Sequence, residues 1–190
     1  SGDRATTGVL KRGCNLLRTQ TCGELRAAHV GQEVTLCGWV DSYRDHGGSL
    51  FVDLRDRYGM TQVVFNPPDT SEPIIAESKT LRAEYVVQVT GKVAERPSGM
   101  SNAKLSTGDV ELRVTGLKLL NKSLTPPVSP NANAQDMPNE ELRLEHRYLD
   151  LRRPAMQQTL LLRDRLIKGM RDYFANLNFI DVETPVLGRS

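Results

Sequence analysis

The sequence predicts a mainly β chain: a small five-stranded closed barrel, then a hinge, then the first helix and strand of an α+β second domain. Three observations carry this reading. Five short runs of period-two alternation follow one another between residues 18 and 120, separated by turn residues. A single stretch of helical spacing lies between the third run and the fourth. A proline-rich segment then gives way to a long period-3.6 pattern from residue 155.

The first run, EVTLCGWVD, places Val34, Leu36 and Val40 on one face and Trp39 and Asp41 on the other. Trp39 has the polar parity, although a large indole serves equally to cover a barrel end. After the turn-forming Gly47 and Gly48, SLFVDLRD sends Leu50, Val52 and Leu54 one way and Phe51, Asp53 and Arg55 the other. In the third run, YGMTQVVFN, Gln62 and Val64 oppose Thr61, Val63 and Phe65, and Pro67-Pro68 ends it. SEPIIAESKTLRAEY reads as a helix with Ile74, Ile75, Ser78, Leu81 and Arg82 along one side. YVVQVTGKVAE and DVELRVTGLKLL complete the five, and in the last Val110, Leu112 and Val114 oppose Glu111 and Arg113. Five strands with a helix between the third and fourth is the layout of an OB-fold, which binds single-stranded nucleic acid across its second and third strands.

NKSLTPPVSPNANAQDMP cannot sustain a helix or a ladder, so residues 121–154 are read as linker and hinge. Within them NEELRLEHRYLDLRR forms a short helix or turn region stopped by Pro154. From Ala155 to about Asn178 a helix carries Met156, Leu160, Ile167, Met170, Phe174 and Leu177 in one stripe, and FIDVETPVLGRS reads as a strand entry broken by Pro185. One helix and one strand cannot bury such a stripe, so more chain or another subunit is expected to cover it. Residues 1–17 are expected to be an unstructured tail; no apolar core follows their basic positions, which argues against a targeting segment.

The formal net charge of +2 does not announce a nucleic-acid partner, so any such binding must come from a local patch. Cys14, Cys22 and Cys37 are odd in number and lack metal-ligand spacing, which points to reduced thiols and a cytoplasmic protein. No apolar run has the length of a membrane span. No phosphate-binding loop, nucleophile elbow or paired histidine ligands occur. His29, His46 and His146 have no companions at ligand spacing, so neither a catalytic nor a metal site is expected.

The chemistry lies on the barrel's outward face, which is expected to gather Arg44, Phe51, Arg55, Gln62, Glu111 and Arg113. An aromatic ring there can stack on a base, worth roughly 1–3 kcal/mol. Arginines can contact phosphates, and Gln and Glu can read the Watson–Crick edge of an unpaired base. Blander readings stand beside this. A lone exposed Phe is ordinary. Asp53, Arg55, Asp56 and Arg57 could form a cross-strand charge ladder. An OB-fold also binds oligosaccharide or protein. RDHGG and RPSGMSN read as loops, with His46 a capping or solvent histidine and Gly99 a turn residue.

Three stretches carry a family resemblance. RTQTCGELRAAHVGQEVTLCGWVDSYRDHGG resembles the N-terminal region of bacterial-type aspartyl-tRNA synthetases, RLEHRYLDLRRP resembles their hinge, and NFIDVETPVL resembles motif 1 of class II aminoacyl-tRNA synthetases. The likeness runs from Arg18 to Ser190. It implies an anticodon-binding barrel over residues 18–120 and the start of a catalytic domain over 155–190. Phe51 then resembles the ring that stacks on the central uridine, Gln62 the amide on its edge, and Glu111 the carboxylate facing the first anticodon base. Arg44, Arg82 and Arg96 match positions near the anticodon loop and its phosphates. His46 and Gly99 resemble the non-discriminating type, which charges both tRNA-Asp and tRNA-Asn. Phe179, Thr184 and Pro185 belong to motif 1, which builds the homodimer interface in this family.

The resemblance also implies ATP and Mg²⁺ for a full enzyme, bound with L-aspartate by residues beyond Ser190. The chain itself is therefore expected to be catalytically inactive, to bind no cofactor, and to be a piece of a longer synthetase. Two other classes remain open: a stand-alone OB-fold single-strand binder, and a dimerisation fragment acting through residues 155–190.

Overall fold

The computed structural model describes residues 17–130 and 137–183. The chain divides into two compact units, one up to Thr125 and one from Pro126. Residues 1–16 of the expected tail, 131–136 of the linker, and Thr184 and Pro185 of motif 1 lie outside the described residues.

The first unit holds five strands, β1 (Glu33–His46), β2 (Ser49–Arg55), β3 (Met60–Phe65), β4 (Val86–Glu95) and β5 (Val110–Asn121). They close into a barrel in the order β1-β2-β3-β5-β4, which leaves no free sheet edge. All pairings are antiparallel except β3 with β5. Each strand turns alternate side chains inward, so Val34, Leu36, Val52, Leu54, Phe65 and Leu112 are almost wholly buried.

β1 runs on to His46, so RDHG does not begin a loop. The turn is only Gly47-Gly48, with φ of +63° and +101°; two left-handed residues give the hairpin geometry that matches strand twist. Gly91 answers a different demand. A Cβ there would lie 2.1 Å from the Arg113 carbonyl oxygen, where β4 and β5 shift register.

The helix between the third and fourth strands is present as α1 (Glu72–Ser78), shorter than its periodicity predicts. Ile75, Ser78 and Leu81 are buried, the last of them beyond the helix. Arg82 is exposed, and it leaves the predicted apolar side because the chain has already departed from helical geometry. Its guanidinium folds back to donate to the carbonyls of Lys79 and Leu81.

The second unit contains α2 (Glu140–Glu145), α3 (Arg147–Asp150) and α4 (Pro154–Asn176). Asn139 caps α2 by accepting the Leu142 N–H at 2.9 Å. Asp150 is fully buried and is clasped by Arg147 and Arg153, each at 2.7 Å. Burial opposes its ionisation, but the Arg153 hydrogen bond and the charges of Arg153, Arg143 and Arg147 hold its carboxyl below the usual range.

α4 buries none of its residues. Leu160, Ile167, Met170 and Phe174 of the predicted stripe are all at least 38 % exposed, in keeping with a helix that lacks partners. Residues 179–183 form no strand, and the rest of the expected strand entry, 184–190, lies outside the described residues. Among the described residues no helix is long and apolar enough to cross a membrane.

Candidate nucleic-acid interface

Strand pairing assembles the site in rows. Arg44 of β1 faces Phe51 of β2, Phe51 faces Val64 of β3, and Val64 faces Arg113 of β5. The next row holds Ser42, Asp53 and Gln62. Beside it lies Glu111, whose carboxylate accepts from the Gln62 amide at 3.3 Å. Together with Arg96 and Met100 these strands line an open groove of about 580 Å³. Phe51 is half-buried and forms part of the groove's lining.

Gln62 and Val64 have the outward parity predicted for them but are 9 % and 5 % exposed. β3 runs between β2 and β5, and the side chains of those strands rise around it. The groove therefore has a recessed polar floor, Gln62 with Glu111, and an aromatic side. Glu111 is 5 % exposed and acceptor-only, so it holds the Gln62 NH₂ toward itself and leaves the amide oxygen free to face a ligand.

Three arginines border this floor. Arg44 reaches Asp53 at 3.0 Å and keeps half of its side chain exposed. Arg113 spans Glu111 at 3.6 Å and Asp69 at 3.7 Å. Arg96 donates from Nε to the Val110 carbonyl at 3.1 Å, while its buried Nη2 has no hydrogen-bond partner.

His46 meets Phe51 edge-on, with ring centroids 5.6 Å apart and planes at 70°. It is solvent-exposed, one of the two expectations for it, and its ring lies against the aromatic ring of Phe51. Gly99 has φ +81° and open space around its α-carbon, in the loop that also carries Met100.

Arg55 departs from the expected set. Alternation groups it with Phe51, but it is absent from the groove lining and is bound to Asp41 and Glu84, over the Trp39 ring. Asp53, Arg55 and Asp56 form no single charge ladder: Asp53 binds Arg44, while the buried Asp56 accepts from Arg18 and the Cys22, Tyr58 and Gly59 backbone N–H groups. Arg82 likewise does not line the groove. In the second unit Phe179 packs its ring against Phe174 at 5.6 Å and is 64 % exposed. Sequence reasoning did not single out Asn66, Asp69 or Met100, which also line the groove. Asn66 ends the third predicted run, a position that could have marked it; nothing in the pattern marks Met100. Among the described residues no group of three metal-ligating side chains occurs.

Two family models match the chain in succession. The first, an OB-fold nucleic acid binding domain, covers residues 34–120, and the second, tRNA synthetases class II (D, K and N), covers 139–190. An aspartate–tRNA(Asp/Asn) ligase from Rhodopirellula baltica is 55 % identical over 175 residues, which is 92 % of this chain and 29 % of that protein. Over nearly all of its length the chain is similar to aspartate–tRNA(Asp/Asn) ligases, with an OB-fold nucleic acid binding domain followed by a class II (D, K and N) synthetase segment. A second aspartate–tRNA(Asp/Asn) ligase, from Desulfatibacillum aliphaticivorans, is 48 % identical over 93 % of the chain and 29 % of its own length. The chain thus spans less than a third of the curated synthetases it matches.

Solved structures agree on the fold. Aspartyl tRNA synthetase from Entamoeba histolytica superposes with a TM-score of 0.77 at 21 % identity, covering 98 % of this chain and 44 % of that one. Asparaginyl-tRNA synthetase from Pyrococcus horikoshii, complexed with asparaginyl-adenylate, gives 0.74 at 24 % identity, over 88 % of this chain and 36 % of that one.

Proposed function

We infer that the barrel reads the anticodon of tRNA for an aspartate–tRNA ligase that accepts both tRNA-Asp and tRNA-Asn. The observation that carries this is the groove itself, where the Phe51 ring stands beside the recessed Gln62–Glu111 pair, bordered by Arg44, Arg96 and Arg113. A splayed base stacks on Phe51. The free amide oxygen of Gln62 accepts the imino N–H of a uridine. Glu111 faces the first anticodon base, and Arg44 and Arg96 take phosphates, with Arg82 contacting the loop from outside the groove. His46 and Gly99 leave the third base loosely judged. Acceptance of both tRNAs is supported by the names of the relatives.

In the whole enzyme aspartate and ATP give aspartyl-adenylate and pyrophosphate, and the aspartyl group then passes to the 3′-hydroxyl of the terminal ribose. The part of it that these residues carry is recognition of the tRNA. The exposed face of α4, with Phe179, supports a homodimer contact there, and the cytoplasm is the matching compartment. Binding of the 190-residue chain to synthetic anticodon hairpins tests the reading. A hairpin with the aspartate anticodon binds with strong salt dependence, and exchanging its central uridine for adenosine weakens it about tenfold or more. Equal affinity for a scrambled loop points instead to a general single-strand binder.

A further inference from the structure

The row that contains Arg44 and Phe51 exists because β1 changes parity part-way along. Val34, Leu36 and Val40 all point into the barrel and are buried. Continued alternation would send Ser42 and Arg44 inward as well. Instead the register shifts: Val40 faces Leu54 and Ser42 faces Asp53, which leaves Asp41 as the extra residue of a β-bulge. Beyond it Ser42 Oγ and Arg44 Nη2 both reach Asp53 Oδ2, at 2.7 and 3.0 Å.

The bulge is held from outside the groove. Arg55 Nε donates to Asp41 Oδ1 at 2.8 Å, its Nη2 donates to the Glu84 carboxylate, and its guanidinium lies 5.8 Å over the Trp39 ring. The side chains of Arg55, Asp41 and Glu84 are only 12 %, 14 % and 9 % exposed. Glu84 itself takes an uncommon left-handed φ of +66°. Its N–H donates to the Val40 carbonyl at 2.7 Å, and the Val40 N–H donates to Tyr85 at 2.9 Å. The residue before the bulge and the bulged residue are therefore tied to one cation. A planar guanidinium can bridge two carboxylates and stack on an indole at once, which an ammonium cannot.

We propose that Arg55 is a positioning residue for RNA recognition: by pinning Asp41 and Glu84 it locks the β-bulge that turns Arg44 outward beside Phe51. This rests on the reading of the groove as an anticodon site. Arg55 touches no RNA; it determines where Arg44 points.

The test uses the 190-residue chain and a synthetic anticodon hairpin across a salt series, with Arg44→Ala, Arg55→Lys and the double variant. Arg55→Lys is expected to weaken binding as much as Arg44→Ala does. It should also lower the slope of log affinity against log salt by about 0.7, one phosphate contact on a single strand. The double variant should bind no more weakly than either single one. Additive losses, or unchanged affinity in Arg55→Lys, overturn the proposal. Cross-strand NOEs from Ser42 to Asp53 and from Arg44 to Phe51 supply a readout without RNA. Their loss in Arg55→Lys but not in Arg44→Ala supports the lock, and their retention sinks it. Should the wild-type chain show these NOEs and bind no hairpin, while Arg55→Lys loses them, the anticodon reading fails and the lock stands. Should Arg55→Lys not fold, Asp41→Asn removes one arm of the clasp with the same expected outcomes.

Discussion

The Gln62 side-chain amide donates to the buried Glu111 carboxylate across the β3–β5 pairing, at 3.3 Å. The contact orients one polar side chain by the charge of another. Glutamate 111, written as Glu111→Gln, would keep its shape and lose its charge, and the Gln62 amide would no longer have one preferred face. We expect this variant to bind the aspartate hairpin about tenfold more weakly, with discrimination at the central base reduced, because an interaction with a charged group is worth roughly 1.5–3 kcal/mol. Fluorescence anisotropy with uridine and cytidine at that position measures it. Preserved discrimination would show that Gln62 is oriented by something else.

The edge-on contact of His46 with Phe51 makes a second prediction. His46→Leu substitutes a bulkier apolar prop and is expected to raise the preference for cytidine over uridine at the third anticodon base several-fold, about 1 kcal/mol. Gly99→Lys should act in the same direction, since its α-carbon faces open space, although its φ of +81° makes the substitution strained. Paired hairpins differing only at that base provide the assay, and an unchanged ratio in both variants counts against their role.

Asp150 is expected to make the second unit acid-sensitive. Its carboxyl is held below the ordinary value of about 3.9, so ionisation stabilises the folded state. That stability is present in full above the ordinary carboxylate range and is lost as pH falls through the depressed folded value. Asp150→Asn should lower stability at pH 7 and flatten its dependence on pH in the acid range, as followed by helical circular dichroism. An unaltered acid limb would contradict the clasp. Breaking a buried pair of this kind costs on the order of 3–5 kcal/mol.

The thiol of Cys22 is pushed well up, first by burial and then by the Asp56 carboxylate, and Cys37 is raised by burial. Both shifts lower the thiolate fraction at neutral pH and so slow reaction, most of all at the buried Cys22, because only the thiolate reacts. Iodoacetamide at pH 7.5 should modify Cys22 only on unfolding, and mass spectrometry of the native chain reads this directly. Rapid native alkylation of Cys22 would show that the segment carrying it opens.

Much of the barrel was legible because period-two alternation depends only on neighbouring residues. The inward set of β2, β3 and β5 follows from it directly, and so does the direction of Phe51 and Glu111. Burial of Gln62 was not legible. It depends on β3 lying between two strands whose outward side chains rise around it, one of them distant in sequence. Arg44 and Arg55 expose the limit of parity. Strict counting along β1 would turn Arg44 inward, and only the extra residue at Asp41 reverses it. Counting along β2 puts Arg55 on the side of Phe51, correctly for its face, yet Asp41 and Glu84 draw it out of the groove. Neither carboxylate can be matched to Arg55 from local pattern. The left-handed φ of +66° at Glu84, on the approach to β4, was likewise not legible: it is set by the barrel strand that its N–H joins.

In the proposed site Phe51 is the stacking platform for the central anticodon base. The most direct measurement is a double-mutant cycle between Phe51→Ala and removal of that base, leaving an abasic central position in the hairpin. The ring is half-buried in the groove wall, so the fold should persist and thermal unfolding should change little. Each single change is expected to weaken binding by roughly 1–3 kcal/mol, and the two together by no more than one of them alone. Losses that simply add would mean that the ring and the base never meet.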